Sequence, residues 1–411
     1  MKDPRKNPRR AHAGLSIRVA APRDLTARDV QAWVDLESRA AEPNAYLSPH
    51  FILPAARFLD PLEQPSVFQI ERVEHGQRDL LGLAVLTRSA PSRRIPVGHH
   101  TAYRSRHSML SGLLLDRDWV EPGLEALLAH LRRERVQQGL ELPQIWATGP
   151  LAQAIGTGAN GLGAPQDDGE REQRAILRPA DAGPQMLMGA AGSRIKTLDR
   201  QMRRLKERGE VAWRCHREGG VPASAVEAFL ALEHAGWKGA NGTSLRSLPA
   251  DESFFKEMVA GFGAEGRALF SELTLDGAPI ASISSFISGD VGFGFKIGWD
   301  PEFKAYSPGL LNEVEFIRHA PQAFADISYF DSGSSAGDAY INSLWPGRAP
   351  VTTASIPTTP LARVLIGTAT AARHLKRNWK THPITPAAVR ATKPEWISLA
   401  GEGLSSLAIL F

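Results

Sequence analysis

Ile297-Gly-Trp-Asp-Pro-Glu-Phe-Lys-Ala-Tyr-Ser-Pro-Gly-Leu-Leu-Asn-Glu-Val-Glu-Phe-Ile317 reads as strand, turn and helix. A helix that opens on Ser307-Pro308-Gly309 turns free backbone N–H groups and the positive end of its dipole toward whatever lies in front of it. That arrangement suits a phosphate or pyrophosphate, so the stretch marks a candidate ligand site.

Upstream of it, three runs read as strands: Ala268 to Leu275, Pro279 to Ile287 and Gly292 to Trp299. Asp276-Gly277 between the first two is a hairpin signal, because both residues tolerate positive φ. Helical patterns precede them at Ala223 to Ala235 and Ser253 to Gly261, with a loop from Trp237 to Pro249 between. A strand at Ile327 to Phe330 and a helical segment around Tyr340 follow. Helix, helix, three antiparallel strands, helix, strand is an α+β order.

The first part of the chain is also mixed. Ile17 to Ala20, Ser111 to Leu115 and Gln144 to Ala147 read as strands, and Val67 to Val73 with Leu80 to Thr87 as a hairpin about Glu74-His75-Gly76-Gln77. Ala27 to Ala40 and Pro122 to Gln138 carry helical apolar stripes. Gly156-Thr-Gly-Ala-Asn-Gly-Leu-Gly163 lacks the Lys-Ser or Lys-Thr of a phosphate loop and reads as a flexible connection. A Pro- and Gly-containing passage places a lobe boundary near residue 185. Next comes a helix, Ser193 to Arg208, with Ile195, Leu198, Met202 and Leu205 on one face and Lys196, Arg200, Arg203, Arg204, Lys206 and Arg208 around it. It reads either as a solvated amphipathic helix or as an attractor of an anionic ligand. Beyond Pro360, Leu361, Val364, Leu365, Ala372, Leu375 and Trp379 describe a last helix with Arg373, Lys376, Arg377 and Lys380 toward its end. Docking on the second lobe and resting on an anionic membrane surface are both open to it.

With 411 residues, 43% of them hydrophobic, the chain is long enough for two cores. Its 48 basic residues nearly balance 44 acidic ones, which argues against wholesale coating of nucleic acid. One cysteine, Cys215, excludes an internal disulfide and a multi-cysteine metal site and fits a reducing, cytoplasmic setting. Met1 to Arg10 is polar and basic, followed by no apolar run of signal or membrane-spanning length, and reads as a disordered arm.

Several marks in the second lobe stand in order: Trp237-Lys238, Leu275-Asp-Gly-Ala-Pro-Ile-Ala281, Gly298-Trp-Asp-Pro301, Tyr306-Ser-Pro-Gly-Leu-Leu311, and Phe330-Asp331-Ser-Gly333 followed by Tyr340 and Trp345. In this the chain resembles the acyltransferases of the GNAT superfamily, in particular the CelD-like and FemAB-like branch of envelope and polysaccharide biosynthesis. Asn44-Ala-Tyr-Leu-Ser-Pro49-His-Phe51 and Leu81-Gly82 are fainter marks of the same branch. The resemblance implies tandem GNAT-like lobes, each a mixed, mainly antiparallel sheet flanked by helices. The lobes are expected at 16–185 and 186–360, with a basic arm at 1–15 and a helical extension at 361–411. Two departures stand out: a single glycine, Gly309, replaces the paired glycines of a coenzyme A pyrophosphate cradle, and Ile341-Asn342 follow Tyr340 where relatives carry lysine.

What the resemblance implies is acyl-CoA, acetyl-CoA above all, as donor, an amino sugar or related envelope precursor as acceptor, and no metal. Gly298, Trp299, Tyr306, Ser307, Pro308, Gly309 and Leu310 are then expected at the donor, and Trp237 and Lys238, with Glu233 and His234 nearby, at the acceptor. Acyl transfer from a thioester to an amine needs a proton acceptor for the amine and a donor for the departing thiolate. Asp331 is the candidate for the first and Tyr340 for the second, a phenol keeping its proton at neutral pH. Their structural alternatives are a turn-capping carboxylate and a core or rim tyrosine. The FemAB resemblance also allows aminoacyl-tRNA as donor, held by the basic helix, and the missing glycine and lysine allow a noncatalytic binding protein. His99, His100 and His107, with Arg93, Arg94, Arg104 and Arg106, read as an exposed basic loop, since so many cations disfavour a metal.

Overall fold

The computed structural model describes residues 14–62, 65–134, 136–157, 166–167, 171–334, 337 and 339–381. The expected arm up to residue 13, positions 158–163 of the glycine-rich segment and everything beyond 381 lie outside the described residues, as do the side chains of Lys376, Arg377, Trp379 and Lys380.

Two runs of elements repeat one order. The first is β1 (Leu15–Ala20), α1 (Ala27–Ser38), α2 (Pro49–Pro54), β2 (Ser66–Glu74), β3 (Gln77–Ser89), β4 (His99–Ala102), the two-residue β5 (Leu114–Leu115), α3 (Val120–Leu131), β6 (Gly139–Trp146), α4 (Pro150–Gly156), the short β7 (Gln166–Asp167) and β8 (Glu172–Leu177). After α5 (Pro184–Lys206) come β9 (Val211–His216), α6 (Ala223–Ala235), α7 (Trp237–Ala240), α8 (Pro249–Ala264), β10 (Ala268–Leu275), β11 (Ala278–Ser288), β12 (Val291–Trp299), α9 (Pro308–Ala323), β13 (Tyr329–Asp331), α10 (Ala339–Leu344) and β14 (Gly347–Pro357). The chain's last described helix is α11 (Pro360–Thr381). This is the expected α+β architecture, two successive runs of mainly antiparallel sheet flanked by helices.

Local chemistry sets the turns. His75 and Gly76 take φ of 52° and 77°, Asp276 and Gly277 φ of 49° and 82°, so both expected hairpins close through two left-handed residues, matching the twist of their strands. Thr26 and Asp29 form a capping box at the start of α1.

All strands join one sheet, whose main path runs β1-β2-β3-β4-β6-β14-β8-β13-β12-β11-β10-β9. The centre of that path is an exchange. β8, which ends the first run, pairs antiparallel with β13 of the second, and β14, which ends the second run, pairs antiparallel with β6 of the first. The two exchanged strands also pair with each other. Packing follows pairing: Ala175 and Leu177 of β8 belong to the core around α9, while Ala354 and Ile356 of β14 belong to the core around α3. A third core is shared, with Trp33 and Phe51 of the first run packed among Phe229, Phe254, Phe255 and Phe270 of the second. Burying each such ring contributes roughly 1.5–3 kcal/mol, so neither half carries a complete core of its own.

Three readings are corrected or widened. The helix expected to Gln138 stops at Leu131, because Gly139 onward is drawn into β6 between β4 and β14. α11 docks on the first run as well as against β14 of the second, through Ala362 and Ile366 against Ile95 and Val97, with Arg373 donating to the Arg94 carbonyl at 3.0 Å. The histidines are buried, not exposed: His100 meets Glu134 at 3.1 Å, His107 meets Asp251 at 2.9 Å and His99 lies 3.7 Å from Glu141. Each carboxylate comes from a distant element, which spacing along the chain conceals.

Candidate active site

β12 and β13 run parallel but pair only over Val291–Phe293 against Tyr329–Asp331. Beyond that the two chains part around a cavity of about 810 Å³, with Gly294 to Trp299 on one side and Ser332, Gly333 and Ser334 on the other. A bulge starts the parting: Ser284 of β11 pairs with Lys296, but Ser285 pairs with Gly294, leaving Phe295 as the extra residue.

One wall is the start of α9. Ser307 sits in the left-handed region (φ 55°, ψ 54°), Pro308 fills the first turn where its missing N–H is not needed, and no side chain caps the helix. Ser307, Pro308, Gly309 and Leu310 all line the cavity, with Lys304 beside them. A β-carbon on Gly309 would lie 3.1 Å from Ile297 and 3.3 Å from Trp299, so glycine lets the helix end come close to the edge of β12.

The opposite wall comes from α6 and α7. A β-carbon on Gly298 would fall 2.5 Å from the backbone nitrogen of Glu233, so this glycine lets α6 press against β12. The Glu233 carboxylate accepts from the Leu245 amide at 2.8 Å and stands 3.4 Å from the Lys238 ammonium. Lys238 donates to the Ile297 carbonyl at 2.9 Å. Burial pulls the Lys238 pKa down, and Glu233 pulls it back up. Trp237, 61% exposed, forms the rim.

α10 follows β13 and carries Tyr340 to the cavity; the ring is 62% exposed and receives the Arg194 guanidinium at 5.0 Å. Below it, Trp345 donates to Glu313 at 2.6 Å, and both line the cavity.

The structure therefore brings together Trp237, Lys238, Gly298, Trp299, Ser307, Pro308, Gly309, Leu310 and Tyr340. Three expected residues stand elsewhere, among them His234, whose ring meets the Ser244 hydroxyl at 2.7 Å outside the cavity. Tyr306 packs into the second core, and Asp331 is fully buried behind the cavity. Asp331 accepts from Arg174 of β8 at 3.1 Å and from the Gly333 amide at 3.0 Å; burial pushes its pKa up while Arg174 pulls it down. Arg174 also donates to the Met109 carbonyl at 2.7 Å, and Tyr46 donates to the Gly294 carbonyl at 3.4 Å. First-run residues thus brace the cavity from behind. Sequence reasoning missed Glu313 and Lys296 as lining residues. Glu313 stands one helical turn after Gly309 and Lys296 one strand alternation before Gly298, spacings that place each on its neighbour's face.

Residues 192–340 match the family model of an acetyltransferase (GNAT) domain. FemX shares the fold at 11% identity and a TM-score of 0.53, over 85% of this chain and all (100%) of that one. A conserved protein of unknown function from Bacteroides thetaiotaomicron VPI-5482 does so at 11% identity and 0.52, over 83% of this chain and 100% of that one. No curated protein matches the chain in sequence. The matched residues are those of an acyltransferase domain, and they include most of the walls of the cavity between the parted strands. Residues 192–340 are thus a GNAT domain by their sequence, and the chain as a whole shares its fold with FemX.

Proposed function

We propose that the chain is an acyl-CoA-dependent N-acyltransferase acting on an amino sugar or related envelope or polysaccharide precursor, by direct attack in a ternary complex. The observation that carries this reading is the two-sided cavity: an uncapped helix N-terminus on one side of the β12 edge and the Trp237–Lys238 wall on the other. The first suits the donor's pyrophosphate, the second an acceptor amine. Ser307 to Leu310 and Lys304 meet the phosphates, and the edge of Gly298 and Trp299 lies along the pantetheine arm.

The amine attacks the thioester carbonyl, the tetrahedral adduct collapses, and the C–S bond breaks. Tyr340 supplies the thiolate's proton. Glu233, the carboxylate that reaches the acceptor wall, takes the proton from the amine. Asp331 is a positioning group here: through Gly333 and Arg174 it holds the wall opposite β12.

Calorimetric titration of acetyl-CoA and longer acyl-CoAs tests the donor side. Micromolar binding that Gly309→Trp abolishes is expected; no heat with any acyl-CoA overturns the reading. One observation favours a second: Lys196, Arg200, Arg203, Arg204 and Lys206 are exposed on α5 without an ion pair among the described residues, and that helix lies against the segment leading to Ser307, where Gln201 donates to the Ala305 carbonyl at 3.2 Å. Such a face suits the phosphates of an aminoacyl-tRNA, and strongly salt-dependent tRNA binding in place of acyl-CoA binding would select it.

We place the protein in the cytoplasm. Leu361, Val364 and Leu375 are exposed on the side of α11 away from its docked face, which supports peripheral contact with the inner membrane face. Among the described residues no helix is long and apolar enough to cross a membrane.

A further inference from the structure

The bulge at Phe295 sorts the residues beyond it between the two walls. Ile297 and Trp299 approach Gly309 of α9, while Gly298 lies against the backbone of Glu233 on α6. By strand alternation Lys296 shares the Gly298 side, and it feels the charges of both Lys238 and Glu233 there.

Charge in that wall is not balanced. Glu233 answers Lys238, and Lys238 gives a further hydrogen bond to the Ile297 carbonyl. Asp251, the other carboxylate within electrostatic reach of Lys296, is engaged by Arg106 at 2.9 Å and by His107 at 2.9 Å. Lys296 lines the cavity, and its ammonium makes no hydrogen bond or ion pair among the described residues; the Nζ stands 5.6 Å from the centre of the Phe295 ring. Burial lowers its pKa, and the Lys238 ammonium adds to the effect. A cation held in a partly dry wall without a counter-charge is costly, and a ligand that brings an anion relieves that cost.

We infer that Lys296, backed by Lys238, recognises an anionic group on the acyl acceptor, a carboxylate or a phosphate a few bonds from the acceptor amine. This rests on the acyl-transfer reading above and narrows its acceptor: a neutral amino sugar offers Lys296 nothing, whereas its phosphate ester or an amino-acid-like amine does. The site is on the α6 side of β12, away from Gly309, so the donor's phosphates do not compete for it.

The test uses the full chain, acetyl-CoA and a thiol-release assay with two matched acceptor pairs: glucosamine 6-phosphate against glucosamine, and glycylglycine against glycylglycinamide. The anionic member of one pair should be favoured in kcat/KM by about tenfold or more, and that pair distinguishes phosphate from carboxylate. Lys296→Met should bring the ratio to about one and Lys296→Arg should retain it. Equal use of both members by the unaltered protein, or a preference that survives Lys296→Met, overturns the inference. A second measurement needs no turnover. In trace labelling with acetic anhydride, read by mass spectrometry, added inorganic phosphate or acetate should suppress modification of Lys296 relative to the exposed Lys196. Labelling unchanged by either anion overturns the inference as well. Failure of acyl-CoA to bind counts against the donor reading instead, so the two fail separately.

Discussion

The two halves of this molecule place a helix with Pro-Gly-Leu in its first turns at the same point of the same order, yet the cavities beside the two differ: about 810 Å³ reaching Gly309 in the second half, and about 450 Å³ lined by Arg39, Arg72, Arg78, Asp79 and Asp116 and stopping at Trp119 in the first. In the first, Pro122-Gly123-Leu124 follows Val120 and Glu121 in α3, between β4 and its parallel neighbour β6; in the second, Pro308-Gly309-Leu310 starts α9 between β12 and its parallel neighbour β13. Around Gly123 the space is filled, a β-carbon there meeting Leu115 at 3.1 Å within a closed apolar core. Glu121 in the first turn of α3 already answers the helix dipole, whereas α9 has no acidic residue in its first turn. The next helices differ in the same way: α4 receives the Glu42 carboxylate at the Leu151 amide, 2.6 Å away, while its counterpart α10 carries Tyr340 into the cavity. One architecture thus gives a support where carboxylates satisfy the helix ends, and a site where those ends are left for a ligand.

The exchanged strands tie support to site, and Arg174 is the sharpest point of that tie. It rides on β8, contributed by the first half, and pairs with the fully buried Asp331 behind the cavity. Arg174→Ala should therefore cost about 3–5 kcal/mol in chemical denaturation, because it leaves a buried charge without its partner. Arg174→Met with Asp331→Leu, which removes both charges, should recover most of that loss. A single variant as stable as the unaltered protein would show that the two halves are coupled by apolar packing alone.

Next in size are the effects confined to the open half. Glu233→Gln should lower kcat by about 10²–10⁴-fold while acetyl-CoA binding is retained, the span usual for a lost proton acceptor. Tyr340→Phe should fall near the lower end, about 10²-fold, since a thiolate departs more readily than an alkoxide. Single-turnover kinetics separates the two steps from product release. If Glu233→Gln keeps full kcat, proton removal belongs to another group, and Glu313 is then the next carboxylate in the cavity.

Much of the open half was legible because its signals are local. Asp276-Gly277 forced a turn, Pro308 started a helix, and the stripe of Ile195, Leu198, Met202 and Leu205 marked α5, all four side chains being buried. The exchange was not legible. β14 contains Pro350 and Pro357 and pairs with residues some two hundred positions earlier, and β4 is four residues long with neighbours on both sides, so neither shows the alternation of a half-buried strand. The role read into Asp331 rested on its place after a strand, but burial is a tertiary property: the same position that ends β13 also meets β8 from the other half. Lys296 was hidden for a related reason, since the bulge at Phe295 changes which residues share a face.

The smallest effect tests the supporting half through Glu42. Burial pushes its carboxyl from 4.5 up to about 7, and the Leu151 amide only partly opposes this. An acid whose folded pKa lies above its unfolded one binds more protons in the native state between the two values. Its contribution is therefore fully present below about pH 4.5 and is lost as pH rises toward about 7. Glu42→Gln keeps an oxygen to accept from Leu151 but cannot ionise, so it should not show that loss. The unaltered protein should thus fall behind the variant by an amount on the order of 1–3 kcal/mol between about pH 5 and about pH 7.5, read from urea unfolding at both. Parallel pH dependence of the two proteins would mean that water reaches Glu42 and the end of α4 is solvated. The support would then be as open as the site, and the contrast between the halves would rest on α3 and α9 alone.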